Sequence, residues 1–353
     1  MTRSAPSQGY RNAGYARLVV LLLVITLLSG CSAIRNHMYR TSGSVMQGLS
    51  KEHTTPYLLQ QKDLGMSCAM SEATTPMMMS FGRVTDEPNQ LGVMMNLSAA
   101  GCSVERAREH DLAYHRLMRE RDTDAARDAQ YNARRHYREA TLRYHRSWQN
   151  LNDHYGDIGN QECPSDMLET EMDQFMYLSG LIAGLQAMNS QVRSGEQLGV
   201  PNNIGSRVAR ATECLDDDRW WGVPGAMQAA IHAMLPSAAP EDATPFEELE
   251  EASRKGEEAG VRLANVFHAV AARNAEDRER VRDVIRRHAE AIENRDPAGD
   301  WTMIDETATQ QIVALSDLLW TKATGHRTPT GRLGEFWDDK EPESENIDLN
   351  ELM

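Results

Sequence analysis

The sequence predicts an all-α protein, a bundle of helical hairpins stacked as a short α-solenoid, and three observations carry that prediction. Between residues 56 and 325 apolar side chains recur at steps of three and four. Alternating strand patterns are absent, and aromatic residues make up only 6% of the 353. The breaks between periodic stretches are short and hold Asp, Asn, Gly and Pro, which suits tight helix–helix connections. Each stripe is one apolar face and none is apolar all round, so the helices must bury their stripes against one another.

The N-terminal segment stands apart. Arg3, Arg11 and Arg17 surround or precede the start of an apolar run from Leu18 to Leu28, which Leu28-Ser29-Gly30-Cys31 closes. Residues 1–30 therefore read as a secretory signal, too short to remain as a membrane-spanning helix. The placement of Cys31 resembles a bacterial lipobox, which implies cleavage before Cys31 and acylation of its thiol. Ser32 at the next position, in place of aspartate, resembles lipoproteins sent to the outer membrane. Several acyl chains hold firmly where a single one binds only marginally. Residues 31–55, bearing Ser, Thr and Gly, then read as the lipidated N-terminus and a tether.

The helices follow in order. The turn Asp86-Glu87-Pro88-Asn89 joins a first hairpin, and Asp122-Thr123-Asp124 offers a cap inside the charged region 104–155. Tyr137, Thr141, Tyr144, Trp148, Leu151 and Tyr155 make one stripe. Pro164-Ser165 signals a start before Leu168, Met172, Phe175, Ser179 and Ile182. Ile204, Val208, Ala211 and Leu215 form the next, and Pro224 opens another with Met227, Ile231 and Met234. Thr244-Pro245-Phe246-Glu247 is a capping box with proline at the first helical position. A break near Gly256 or Gly260 precedes Val261, Ala264, Phe267 and Val270. Val281, Ile285, His288 and Ile292, then Ile304 to Leu319, complete the series. Residues 326–353, with seven acids against one lysine from Asp338 onward, read as an acidic disordered tail.

Charge and cysteine usage narrow the function classes. The chain carries −15, and removal of the three leader arginines leaves −18 on 323 residues. Such a surface repels phosphate backbones, so nucleic acid is not an expected partner and lipid at Cys31 supplies the membrane attachment. Cys68, Cys102, Cys163 and Cys214 remain, an even number in an exported chain. Three pairings are possible. Cys68–Cys102 and Cys163–Cys214 are favoured, because neighbouring antiparallel helices would bring each pair together.

The order of features resembles the T-component proteins of TRAP transporters, the TatT family of periplasmic lipoproteins. The resemblance runs over residues 60–325. It starts with the early hairpin and Leu91-Gly92-Val93-Met94-Met95-Asn96, followed by a long Arg/Tyr-rich helical stretch. Trp220-Trp221-Gly222 then leads into an alanine-rich helix, and Val261-Arg262-Leu263-Ala264-Asn265 with Arg273 follows. Ala308 to Leu319 corresponds to the family's terminal helix. It implies a tetratricopeptide-like helical-hairpin fold and association with a periplasmic substrate-binding protein of a TRAP transporter. An apolar cavity for a hydrophobic small molecule or organic acid is implied as well. The loop 194–203, the two disulfides and the acidic tail depart from the family's pattern.

Candidate binding residues are few. Among nineteen methionines, Met78, Met79 and Met94 flank the first turn, where flexible thioethers either fill the core or wall an adaptable cavity. Trp220 and Trp221 point about 100° apart on a helix, so one suits the core while the other faces a groove. The eleven histidines give no metal spacing: His110 and His115 are five apart, and no H-E-x-x-H occurs. Gly180-x-x-x-Gly184 suggests close packing of soluble helices. Neither a nucleophile elbow nor a phosphate loop is present, and Asp216, Asp217 and Asp218 end a helix as a turn would. The expectation is a non-catalytic binding protein without metal or cofactor. Its rival is an envelope scaffold that organises proteins without handling small molecules.

Overall fold

A computed structural model describes residues 34–339, and every regular element among them is helical. Helix α1 (34–49) runs through a π turn, Ser50–Thr54, into α2 (Thr55–Leu59). The next four are α3 (Leu64–Ser80), α4 (Asn89–Glu120), α5 (Thr123–Tyr155) and α6 (Glu171–Ser194). Then come α7 (Ile204–Ala211), α8 (Val223–Met234), α9 (Pro245–Ala259) and α10 (Leu263–Asn274). Helices α11 (Arg278–Asn294) and α12 (Thr302–Thr324) close the series.

Local chemistry explains the boundaries. The Asp122 carboxylate accepts the Ala125 amide at 3.0 Å and starts α5, while Gly156 at φ 93° stops it. All six residues of the predicted α5 stripe, Tyr137 to Tyr155, are buried. Small residues let the neighbours close in. A Cβ on Gly180 would stand 2.5 Å from Leu151 Cδ1, and one on Gly184 would stand 2.6 Å from Trp148 Cε3. The Gly-x-x-x-Gly pair therefore brings α6 against α5.

Helices α4, α5 and α6 pack on one another, as do α8, α9 and α10. Helix α12 packs on α10 and α11 and also reaches α4, α3 and α2, so the stack closes on its own beginning. A buried clamp fixes that closure. The Arg262 guanidinium holds Asp305 Oδ2 at 2.5 Å and donates to the carbonyls of Ala291, at 2.7 Å, and Arg295. The Asp305 carboxyl also accepts the Arg262 amide at 2.7 Å. One side chain thus ties the α9–α10 junction, the end of α11 and the start of α12. Burial pushes Asp305 above the usual carboxylate range, against the pull of Arg262.

Both favoured disulfides are present, with Cα–Cα distances of 5.7 Å for Cys68–Cys102 and 5.4 Å for Cys163–Cys214. The first joins α3 to α4, as antiparallel neighbours. The second has a different setting: Cys163 lies in the loop before α6 and Cys214 in the turn Thr212–Cys214 after α7.

Several sequence expectations need correction. On α6 and α10 the buried surface is wider than one stripe: Phe175 to Leu181 and Leu263 to Ala269 are buried without a break, with Ser179, Asn265 and His268 among them. Residues 34–55, expected as an irregular tether, form a helix and a π turn. Helix α6 starts at Glu171, not at Pro164-Ser165. Thr170 Oγ1 caps it by accepting the Asp173 amide at 3.1 Å, and Leu168 stays in the preceding loop. At α9 the hydroxyl of Thr244 makes no cap; Glu248, not Glu247, reaches back to the Thr244 amide at 3.1 Å.

The start of the expected disordered tail is folded. Over residues 326–339 the chain packs on α11 and α12. Phe336 is buried, Trp320 Nε1 donates to the Glu335 carbonyl at 3.1 Å, and Arg282 and Arg286 stand over the Phe336 ring. Asp338 and Asp339 pair with Arg282 and Arg286 at 3.0 and 2.8 Å. Acid-rich composition hid an aromatic anchor and its basic dock. Residues 340–353 lie outside the described residues.

Candidate ligand chamber

The wrapping of α12 back onto α4 leaves a space between them. A cavity of about 250 Å³ opens among α3, α4, α6, α10 and α12, far beyond the ~10–15 Å³ that one water needs. Met94, Leu97, Leu178, Ile182, Trp221 and Met303 supply much of its apolar wall. The wide buried surface of α6 has its reason here: one side packs on α5 while Leu178 and Ile182 face the chamber. The Cys68–Cys102 bridge forms part of the same wall and pins α3 to α4 there.

An aromatic cluster makes one end. Trp220 and Phe175 are stacked at 6.2 Å, and Trp221 and Trp301 meet edge to face at 5.1 Å. Trp220 Nε1 donates to Gln174 Oε1 at 3.0 Å, which satisfies its polar atom inside the core. The neighbouring Trp221 has φ 56°, and this left-handed backbone turns its indole toward the chamber.

The other end is polar. Glu105, Arg108, Gln186, Gln310 and Gln311 border both this chamber and an adjoining cavity of about 210 Å³. In that outer space Arg193 pairs with Asp111, which also accepts the Tyr137 hydroxyl at 2.6 Å. Arg327 pairs with Glu109, and Arg108 stands 3.7 Å from Glu105. Arg273 lines the same space and has no carboxylate partner among the described residues. Water reaches it, yet close packing strips part of its solvation and pushes its pKa down, with the charge of Arg193 acting in the same direction. Lys322 is lowered by the same desolvation and by Arg273 and Arg193. Arg108, Arg193, Arg273 and Arg327 line this mouth beside Glu105, Glu109, Asp111 and Asp317, and Arg273 alone of the four arginines is unpaired there among the described residues.

The five apolar candidates from the sequence divide. Met94 and Trp221 line the chamber. Met78 is buried beside the π turn, where Ser50 Oγ lies 3.9 Å from its sulfur. Met79 packs against α4, its sulfur 2.9 Å from where a Cβ on Gly92 would sit. Trp220 is core. Sequence reasoning missed Phe175, Leu178 and Met303 as wall residues; the run Phe175-Met176-Tyr177-Leu178, four apolar residues in succession, was the available sign of a wide buried face. Cys31 lies outside the described residues.

One grouping has metal-like proximity, Cys68, Glu72 and Cys102, but both sulfurs are bonded to each other and offer no thiolate. Glu72 is held instead by Arg106 and Arg143, and the Arg106 hydrogen bond leads in keeping its carboxyl below the usual range. No family model, curated protein or solved structure matches this chain.

Proposed function

We propose that the protein is a non-catalytic binding component of the bacterial envelope that holds an amphipathic organic acid in the α4–α6–α12 chamber. The observation that carries this reading is the pairing of an apolar chamber with a mouth bearing Arg273, which has no carboxylate partner among the described residues. An apolar tail would lie against Leu178, Ile182 and Trp221, and its carboxylate would meet Arg273, a charge-assisted contact. Specificity would come from shape and from that single charge.

Cys31, as the acylated first residue, would hang the domain on the periplasmic face of the outer membrane. On the resemblance to TRAP T-components, the ligand would pass to or from a periplasmic substrate-binding protein docked on this domain. The closed helical-hairpin bundle supports that reading as a fold able to carry such a chamber.

Isothermal titration of the purified domain with a medium-chain fatty acid tests the binding role. The expected result is saturable one-site binding that Ile182→Trp abolishes by filling the chamber. Arg273→Ala should weaken the acid and leave the corresponding alcohol unchanged. Absence of binding by both acid and alcohol at high protein concentration would remove the ligand role and leave the scaffold reading.

A further inference from the structure

Helix α1 carries an apolar face that the other described residues leave uncovered. Ile34, Met38, Val45 and Leu49 are 70%, 58%, 62% and 46% exposed. At 100° per residue these four fall within an arc of about 60°. The opposite side of the helix meets the body: Gly43 is so close to the turn between α3 and α4 that a Cβ would stand 2.7 Å from Thr85 Cγ2, and Gln47 Nε2 donates to Thr85 Oγ1 at 2.9 Å. The stripe therefore points away from the domain.

Two further observations say what covers it. Residues 31–50 hold Arg35 and Arg40 and no acid, in a chain whose net charge is −15. Cys31 stands three positions before Ile34, so an acyl chain on its thiol would hold the start of α1 within about 10 Å of the lipid interface. No helix among the described residues is long and apolar enough to cross a membrane. The stripe, Arg35 at its edge and the anchor position match a helix that lies in the plane of a bilayer.

We infer that α1 is a membrane-surface helix: its Ile34–Met38–Val45–Leu49 stripe sinks into the acyl boundary of an anionic bilayer while Arg35, about 40° beyond the stripe's edge, meets the headgroups. The helix then fixes how the domain stands above the membrane, with its Gly43 side bearing the body. The inference uses the lipid-anchor reading for what delivers the helix to the surface, but the stripe's own affinity is independent of acylation. It is also independent of the chamber.

The test uses the mature chain, from residue 31 onward, in two forms: the natural one, recovered in phosphatidylethanolamine/phosphatidylglycerol vesicles, and Cys31→Ser, added to the same vesicles. Each carries an environment-sensitive fluorophore on Val45→Cys or, as reference, on Ser44→Cys. The Val45→Cys label should shift to the blue and be quenched by lipid-borne quenchers in both forms, and the Ser44→Cys label should not. Met38→Glu/Val45→Glu, at exposed positions, should keep the circular dichroism spectrum and lower partitioning of the Cys31→Ser form about tenfold or more. A Val45→Cys label that stays water-like on vesicles would overturn the inference. So would a blue shift without vesicles that tracks dimer formation in sedimentation, since the stripe would then cover a second copy. Fatty-acid titration of the double variant reports the chamber separately.

Discussion

Acidification should expose the cost of burying His288. This side chain is fully buried on α11, its Nδ1 accepting from Asn265 Nδ2 at 3.2 Å and its Nε2 facing Thr309 Oγ1 at 3.1 Å. Burial, with Arg262 nearby, lowers its pKa from 6.5 to about 3. The folded state therefore binds fewer protons than the unfolded one between these values. Its contribution is complete above pH 6.5 and is lost as the pH falls toward 3. At ~1.36 kcal/mol per unit, the full span is about 5 kcal/mol. Urea unfolding of the wild type and His288→Gln at several values between pH 7.5 and 4 isolates it. The stability difference between them should change by about 1.4 kcal/mol per pH unit below pH 6. Curves that stay parallel across that range would refute the reasoning.

The Arg262–Asp305 clamp and the packing contacts give sharper tests of the fold. Asp305→Ala leaves a guanidinium buried without its partner and should cost about 3–5 kcal/mol in chemical denaturation, whereas Arg262→Met/Asp305→Leu should recover most of it. Removing the Cys163–Cys214 bridge, whose partners are 51 residues apart, should cost about 4 kcal/mol, read as a lower urea midpoint with and without reductant. Gly180→Val pushes branched carbons into Leu151 and should destabilise by about 1–3 kcal/mol, while Gly101→Ala, with open space around it, should not.

Periodicity exposed what depends on one helix at a time. The α5 stripe from Tyr137 to Tyr155 is legible because α5 buries one face and wets the other, and Asp122 marks its start in the sequence. The chamber was less legible, since it belongs to no single helix: Leu178, Trp221 and Met303 meet only because α12 folds back over α4. The run Phe175 to Leu178 signals a wide buried face on α6, but which neighbours cover it, and that one of them is a chamber, is tertiary information. The segment 326–339 was misread for the opposite reason. Its acids dominate the composition, yet Phe336 and Trp337 dock on Arg282, a contact between side chains more than fifty positions apart. The setting of Cys163 in a loop likewise follows from how α7 returns to α6, not from local spacing.

Native mass spectrometry of the protein purified gently from the cells that produce it addresses the chamber most directly. A single apolar acid should travel with the wild type in equimolar amount, leave on organic extraction and be missing from Ile182→Trp. A wild-type protein that emerges empty, or an Ile182→Trp variant that carries the same molecule in the same amount, would contradict the account.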